Sequence, residues 1–476
     1  MMNPVIQPQR RSWKMRQSDR KLLLFIGDFL VAMLALAASI LIWSQSPEEW
    51  LNLSPAFLRE RVPVWFYLLP VIWLLLLVEM YDTQRANNRQ NTFKGISIAA
   101  AISAVLYLIV YFSSAPDSLP RRGVAGFIIG VYVLTLLWRF LYISIFTQPQ
   151  FMRRVLIVGA GKAGTTLVDV VKNLWPPPFY LVGLIDDDPQ KKDLEIEGYR
   201  VMGASRDLMQ VIQDEGVTDL VCAISGEMAP DTVNTLLQAE EAGIEITTMP
   251  IMYETLLGRV PINLLQSDWV LRSFVDQAHL SGTFEIAKRL IDIVGALVGL
   301  LFLVLLFPFI GVMILLDSGG PVLYLQERLG KNGRVHKIIK FRTMKLDAEK
   351  DGVARPATQN DPRATRFGRL LRRSHLDELP QIINILKGEM SWVGPRSERP
   401  EIIQNLEKEI PFYRARLFVK PGLTGWAQVN YGYAAGAEEN SVKLEYDLYY
   451  IKHRNLGLDI LILLRTVGNV LGLKGR

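Results

Sequence analysis

Five long apolar runs, at residues 22–43, 63–80, 96–112, 124–146 and 290–316, restrict this chain more than any other feature. Each is close to the ~17–25 residues a helix needs to cross a bilayer. The first four lack the polar stripe that a helix in a water-facing bundle keeps. With 50% apolar residues among 476 and a positive mean hydropathy, the chain reads as membrane-embedded rather than as one soluble globule. The first run is too long for a cleavable signal peptide and lacks a small-residue cleavage site. Basic residues set the expected orientation. Arg10, Arg11, Lys14, Arg16, Arg20 and Lys21 precede the first run, Arg85, Arg89 and Lys94 lie between the second and third, and Arg153 and Arg154 follow the fourth. These three segments are expected on the cytoplasmic side. The loops between them hold Glu48, Glu49, Glu60 and Asp117, but also Arg59, Arg61, Arg121 and Arg122. A four-helix transmembrane region is therefore expected over residues 1–150.

Residues 155–158 read as a buried strand, and Gly159-Ala160-Gly161-Lys162-Ala163-Gly164 then opens a helix. A second strand at 181–185 ends in Asp186-Asp187-Asp188, with further strands at 220–224 and 244–248 alternating with helices. This strand-turn-helix context fits a dinucleotide fold over residues 151–255, followed by a linker at 256–284. Gly159, Gly161 and Gly164 would approach a pyrophosphate, and Asp186, roughly the expected ~20 residues on, would meet a ribose hydroxyl. The same glycines serve a tight turn and close helix packing without any ligand, so the fold is better specified than its occupancy. Cys222, the single cysteine, excludes an internal disulfide and a cysteine-rich metal site, and is expected to be buried and inert.

Lys288 and Arg289 introduce the fifth run, which only Asp292 interrupts. A straight helix of that length would cross the bilayer, whereas Pro308 could bend it so that it enters and leaves by one face. The segment after Gly319 is basic, with 27 Lys/Arg against 17 Asp/Glu. Charge alone does not choose between nucleic acid, anionic lipid and a phosphorylated substrate. Within it, Arg372-Arg373-Ser374-His375-Leu376-Asp377-Glu378-Leu379-Pro380-Gln381 puts two adjacent carboxylates after two arginines. Pro380 is tolerated at the first position of a helix, so Asp377 and Glu378 are expected at a helix N-terminus, where backbone donors collect anions. Ser374-x-x-Asp377 also fits a capping box, although that places Pro380 inside the helix.

Leu376-Asp377-Glu378-Leu379-Pro380-Gln381 resembles the catalytic signature of the bacterial polyprenyl-phosphate hexose-1-phosphate transferases, the monotopic phosphoglycosyl transferases that start exopolysaccharide and O-antigen repeat units. Gln326-Glu327-Arg328-Leu329-Gly330, Lys340-Phe341-Arg342-Thr343-Met344, Trp392-Val393-Gly394-Pro395-Arg396 and Lys420-Pro421-Gly422-Leu423-Thr424-Gly425-Trp426 are similar to further motifs of that family, in family order. Ser397 departs from it, standing where the commonest form has a second proline. The resemblance implies a membrane protein made of an α-helical N-terminal bundle, an α/β Rossmann-like domain and an α/β catalytic domain at 319–476, with 285–318 as a re-entrant membrane helix. It implies Asp377 as nucleophile, Glu378 as the Mg²⁺ ligand, and Lys340, Arg342, Arg372, Arg373, Pro395 and Arg396 as substrate contacts. Arg372 and Arg373 are expected to depress the carboxylate pKa values and keep Asp377 ionised. The partners implied are a UDP-sugar, undecaprenyl phosphate and the lipid bilayer of the bacterial inner membrane, with no nucleic acid and with homo-oligomer formation left open. The sugar is not legible; UDP-glucose is the family's common donor. Two rival readings are an NAD-binding nucleotide-sugar oxidoreductase or dehydratase built on the glycine-rich domain, and a non-catalytic membrane scaffold that senses nucleotide.

Overall fold

The computed structural model describes residues 17–45, 52–81, 86–113, 120–146, 152–264, 282–346, 361–432 and 436–471, with the single positions 148 and 348. Arg10, Arg11, Lys14, Arg16, Glu48, Glu49, Arg85 and Asp117 of the orientation argument lie outside the described residues. The chain divides into two compact units, Met1–Met249 and Pro250–Arg476.

Among the described residues, three helices of the first unit are long and apolar enough to cross a membrane: α1 (Gln17–Ser44), α3 (Arg89–Ser113) and α4 (Arg121–Phe146). The expected fourth is a correction. Residues 63–80 form a 3₁₀ turn at Val64–Leu68, a short helix α2 (Leu69–Leu76) and a second 3₁₀ turn at Val78–Tyr81. Pro70 lacks the N–H that would carry one hydrogen-bond ladder through the run, so the helix restarts instead. Two charges that the apolar runs concealed meet in this bundle. Arg139 of α4 donates to Asp28 of α1 at 2.6 Å, both side chains fully buried, and to the Met80 carbonyl at 2.8 Å. Charges at such depth persist only when paired. Gly126 and Gly130 of α4 face Ser39 and Ala35 of α1, where a Cβ would already touch at 3.7 Å, so small residues bring the two helices together.

The same unit holds a parallel sheet of four strands, β1 (Arg154–Val158), β2 (Tyr180–Ile185), β3 (Asp219–Cys222) and β4 (Glu245–Thr248), in the order β2-β1-β3-β4. Helices α5 (Lys162–Asn173), α6 (Leu208–Glu215) and α7 (Pro230–Glu241) alternate with them. Leu156, Val158, Ile185, Leu208, Leu220 and Leu236 share one core. Strands β1 and β3 are near-continuous apolar runs because a parallel sheet is covered on both faces. Cys222 is buried and unpaired with any other cysteine.

In the second unit, α8 (Gly282–Ser318) is one helix of 37 residues that contains Pro308. It is followed by the antiparallel hairpin β5 (Leu323–Leu329) and β6 (Val335–Phe341), by α9 (Arg366–Arg373), a 3₁₀ turn at Leu376–Gln381 and α10 (Ile382–Lys387). Strands β7 (Ser391–Val393) and β8 (Gly422–Thr424) pair in parallel, and α11 (Ala437–His453) and α12 (Leu456–Leu471) close the unit. The polar interruption in α8 has a structural use: Asp292 accepts hydrogen bonds from Ser391 Oγ at 2.9 Å and Trp392 N–H at 3.0 Å, fixing β7 against the helix. Arg289 donates to the Ile385 and Leu386 carbonyls, completing the end of α10 before Gly388 turns left-handed at φ 81°.

Candidate active site

The site starts where α9 stops. His375 takes φ 57°, a left-handed conformation that a non-glycine residue holds only when its surroundings enforce it, and the chain then winds into the 3₁₀ turn. Ser374 Oγ donates back to the Leu370 and Leu371 carbonyls at 3.0 and 3.1 Å, so it does not cap Asp377. Asp377 and Glu378 do lie in the first turn of a helix, but that helix is the 3₁₀ turn Leu376–Gln381. Pro380 lies inside the 3₁₀ turn and the α-helix begins only at Ile382. Of the two carboxylates, Glu378 is held by side chains from other elements.

Lys340, next to last in β6, donates to Glu378 Oε1 at 2.7 Å, and Arg396, just past β7, donates to the same oxygen at 2.6 Å. Burial pushes Glu378 up, but Arg396 and Lys340 outweigh it and hold the carboxylate well below its usual range. Asp377 behaves in the opposite way. Burial, joined by the charge of Glu378, pushes it up to about 6, against the pull of Lys340, Arg372 and Arg396. Among the described residues no donor hydrogen-bonds its carboxylate. The expectation that the two arginines keep Asp377 low is thus overturned: Arg372 is one opposing charge among several, and Arg373 stands exposed at the end of α9. Adjacent acids driven apart in this way take different roles, one fixed as an anion and one able to titrate near neutrality.

Arg342 is a further correction. Its guanidinium donates to the Ser318 carbonyl, Ser318 Oγ and the Gly319 carbonyl, closing the C-terminal end of α8 away from the carboxylates. Strand β6 ends at Phe341, so the two-residue alternation that would have set Arg342 beside Lys340 is not carried on. Pro395 is buried and acts through its backbone, its carbonyl accepting from Gly422 N–H at 2.9 Å.

Around this pair lies a ring of charge that the motifs did not disclose. Arg416 donates to Asp447 at 2.8 Å, to Tyr413 Oη at 2.6 Å and to the Arg396 carbonyl at 3.1 Å, bracing the residue that grips Glu378. Glu398 meets Lys443 at 2.9 Å and Arg328 at 3.4 Å. Burial pushes Glu398 up, yet Lys443, Arg416 and Arg328 hold it far below the usual range. The available signal was an acid on the buried face of an otherwise amphipathic helix, Asp447 of α11.

Among the described residues no group of three or more His, Cys, Asp or Glu could hold a metal ion. Two carboxylates still fit a Mg²⁺ whose shell is completed by water and substrate phosphate. Glu378 Oε1 is taken by two cations, whereas Oε2 meets Arg396 only at 3.4 Å.

The glycine-rich turn, in the first unit, is differently arranged. Gly159 has φ 111°, and a Cβ at Gly164 would run into the Gly159 carbonyl, so both are required by the turn itself. Gly161 has open space around it. Asp186 is drawn onto the turn: it accepts from Ala160 N–H at 2.6 Å, from Asp188 N–H at 2.9 Å and from Lys191 at 3.2 Å.

Comparison with known proteins follows the same division. Residues 283–473 match the family described as bacterial sugar transferase, and residues 77–250 match the CoA-binding domain family. The chain is 39% identical, over 56% of its length and 60% of the relative's, to the UDP-N-acetylgalactosamine-undecaprenyl-phosphate N-acetylgalactosaminephosphotransferase of Aeromonas hydrophila. It is 32% identical to the undecaprenyl-phosphate glucose phosphotransferase of Komagataeibacter xylinus, over 67% of this chain and 59% of the relative. It is 34% identical to the UDP-glucose:undecaprenyl-phosphate glucose-1-phosphate transferase of Xanthomonas campestris pv. campestris, over 74% of this chain and 73% of the relative. The chain thus spans less than two thirds of the first two relatives and more of the third.

Proposed function

The chain belongs to the bacterial sugar transferase family, and from that premise we propose that it passes a hexose-1-phosphate from a UDP-sugar to undecaprenyl phosphate, releasing UMP, as the first step of exopolysaccharide, capsule or O-antigen synthesis. The observation that carries this reading is the divided carboxylate pair: Asp377, without a hydrogen-bond donor and raised to about 6, beside Glu378, held ionised by Lys340 and Arg396. A half-buried carboxylate with no hydrogen-bond donor among the described residues is a competent nucleophile. Asp377 attacks the sugar-bearing phosphorus, the phosphoanhydride bond breaks, and UMP leaves with its electron pair. A phosphate oxygen of the lipid then attacks the same phosphorus, and the bond to Asp377 breaks to return the carboxylate. Lys340, Arg396 and Arg372 gather the phosphate charge that would otherwise keep donor and acceptor apart. Glu378 would hold a Mg²⁺, which would supply Lewis-acid neutralisation of the diphosphate charge.

The same reading places the second unit on the cytoplasmic face of the inner membrane, where nucleotide-sugars are. Helix α8, about 55 Å long at ~1.5 Å per residue, exceeds a bilayer core and carries Pro308, and its apolar run 290–316 has Lys288 and Arg289 before it and Arg328 and Lys331 after; we read it as re-entrant. The parallel sheet reads as a Rossmann-like domain, and the engagement of Asp186 with Ala160 favours a structural use of it over the oxidoreductase alternative. The deciding assay is purified protein with undecaprenyl phosphate and a panel of UDP-sugars, scored for nucleotide product. UMP with lipid-linked sugar phosphate is expected, whereas release of UDP would contradict the reading.

A further inference from the structure

An apolar trough of about 600 Å³ runs along α8 and meets the carboxylate turn. Val298, Phe302 and Leu306 of α8, Leu376 and Leu379 of the turn, and Leu463 of α12 line it, and no polar surface reaches into it. Its volume lies within the ~300–1,000 Å³ of ordinary ligand sites. Two glycines set its depth. A Cβ at Gly299 would come within 2.6 Å of Ile382 Cδ1, and one at Gly295 within 2.6 Å of Trp392 Nε1, so bare backbone lets Ile382 and Trp392 close onto the helix.

The wall of the trough shares a turn of chain with the charged site. Leu376 immediately precedes Asp377, and Leu379 immediately follows Glu378, so one turn of chain supplies both the apolar wall and the two acids. Lys340 and Arg396 stand on the acid side of that turn. A water-soluble nucleotide-sugar has no use for a trough without polar groups. A ligand with a phosphate head and a single hydrocarbon tail uses both halves. Val298 and Phe302 are each 55% exposed, which leaves the trough open along its length to a chain far longer than it can hold.

We propose that this trough holds the isoprenoid units nearest the phosphate of the lipid acceptor, aligning that phosphate with Asp377. The inference rests on the function given above and adds the acceptor's subsite. Val298→Trp and Leu463→Trp fill the trough from opposite walls, and each full-length variant is assayed with undecaprenyl phosphate and with dimethylallyl phosphate, which has one isoprene unit. The ratio of kcat/KM for the long over the short acceptor is expected to fall about tenfold, since the long acceptor loses the contacts of several isoprene units and the short one those of a single unit at most. An unchanged ratio overturns the proposal. Photolabelling of the unmodified protein with a diazirine-bearing polyprenyl phosphate supplies a test independent of any variant. Labelled peptides from 291–306 and 376–382, displaced by undecaprenyl phosphate, support it. Equal labelling there by a diazirine diacyl phospholipid that undecaprenyl phosphate does not displace means ordinary bilayer fills the trough, and the proposal fails. If no UDP-sugar yields UMP, the functional reading falls, and the displacement experiment still reports on the trough.

Discussion

Two turns in this molecule set acids against backbone, and they treat them oppositely. At the glycine-rich turn Asp186 is saturated by Ala160 N–H, Asp188 N–H and Lys191, and its neighbour Asp187 by Ser205 N–H, Ser205 Oγ and Thr232. Burial raises both, but these donors outweigh it and hold both below the usual carboxylate value. At the carboxylate turn only Glu378 is saturated, and Asp377, next to it, is raised to about 6. A carboxylate whose lone pairs are filled is a structural brace, whereas one that is buried beside a like charge and lacks donors retains its reactivity. An acid in a motif thus becomes informative only when its donors are counted.

The comparison breaks most sharply at Asp377 itself. Asp377→Asn keeps the shape and removes the nucleophile, so UMP release should fall by about 10⁴-fold or more. Preserved release would assign the chemistry elsewhere. Lys340→Met is expected to do less. It removes a positive charge that lowers Asp377, so the midpoint of the rate–pH curve moves upward from about 6 and the rate at pH 7 drops about tenfold. A fall in rate with an unmoved midpoint would leave Lys340 a purely structural partner of Glu378. In the unmodified protein the working form is the ionised one, so protonation removes activity. The rate of acceptor-free UMP release should rise through pH ~6, and at pH 5 should be about a tenth of its plateau. A profile flat between pH 5 and 8 would contradict the raised carboxyl.

The other turn should respond in stability rather than in rate. Asp186→Ala leaves the Ala160 N–H without its acceptor and should cost about 1–3 kcal/mol, read as a lower midpoint of unfolding, with transfer changed less than about twofold. Gly161→Ala, with open space around it, should change neither measurably. Loss of transfer in either variant would make the first unit part of the chemistry.

Much of this was legible in the residues because it is local. Three of the four N-terminal apolar runs are long helices, β1 with its glycine turn lies where the spacing put it, and Lys340 and Arg396, singled out from the family motifs as substrate contacts, lie beside the acids and pair with Glu378. What escaped depends on partners distant in sequence. Arg342 could not be known to cap α8 before the end of β6 was known, and Arg416 meets Asp447 31 residues on. Asp28 and Arg139, 111 residues apart, stand in two different apolar runs and are paired only by the fold. The titration of Asp377 was misjudged because counting arginines in sequence omits burial and the adjacent Glu378, which outweigh them. The second apolar run was long enough, but Pro70 inside it interrupts the hydrogen-bond ladder.

The most direct test of the account is to incubate the protein with isotopically labelled UDP-sugar and Mg²⁺ in the absence of acceptor, and to weigh the peptide that contains Asp377. One phosphosugar per chain on that peptide, formed with an equal amount of UMP and discharged when undecaprenyl phosphate is added, is the predicted result. Sustained transfer to lipid while that peptide stays unlabelled would contradict it.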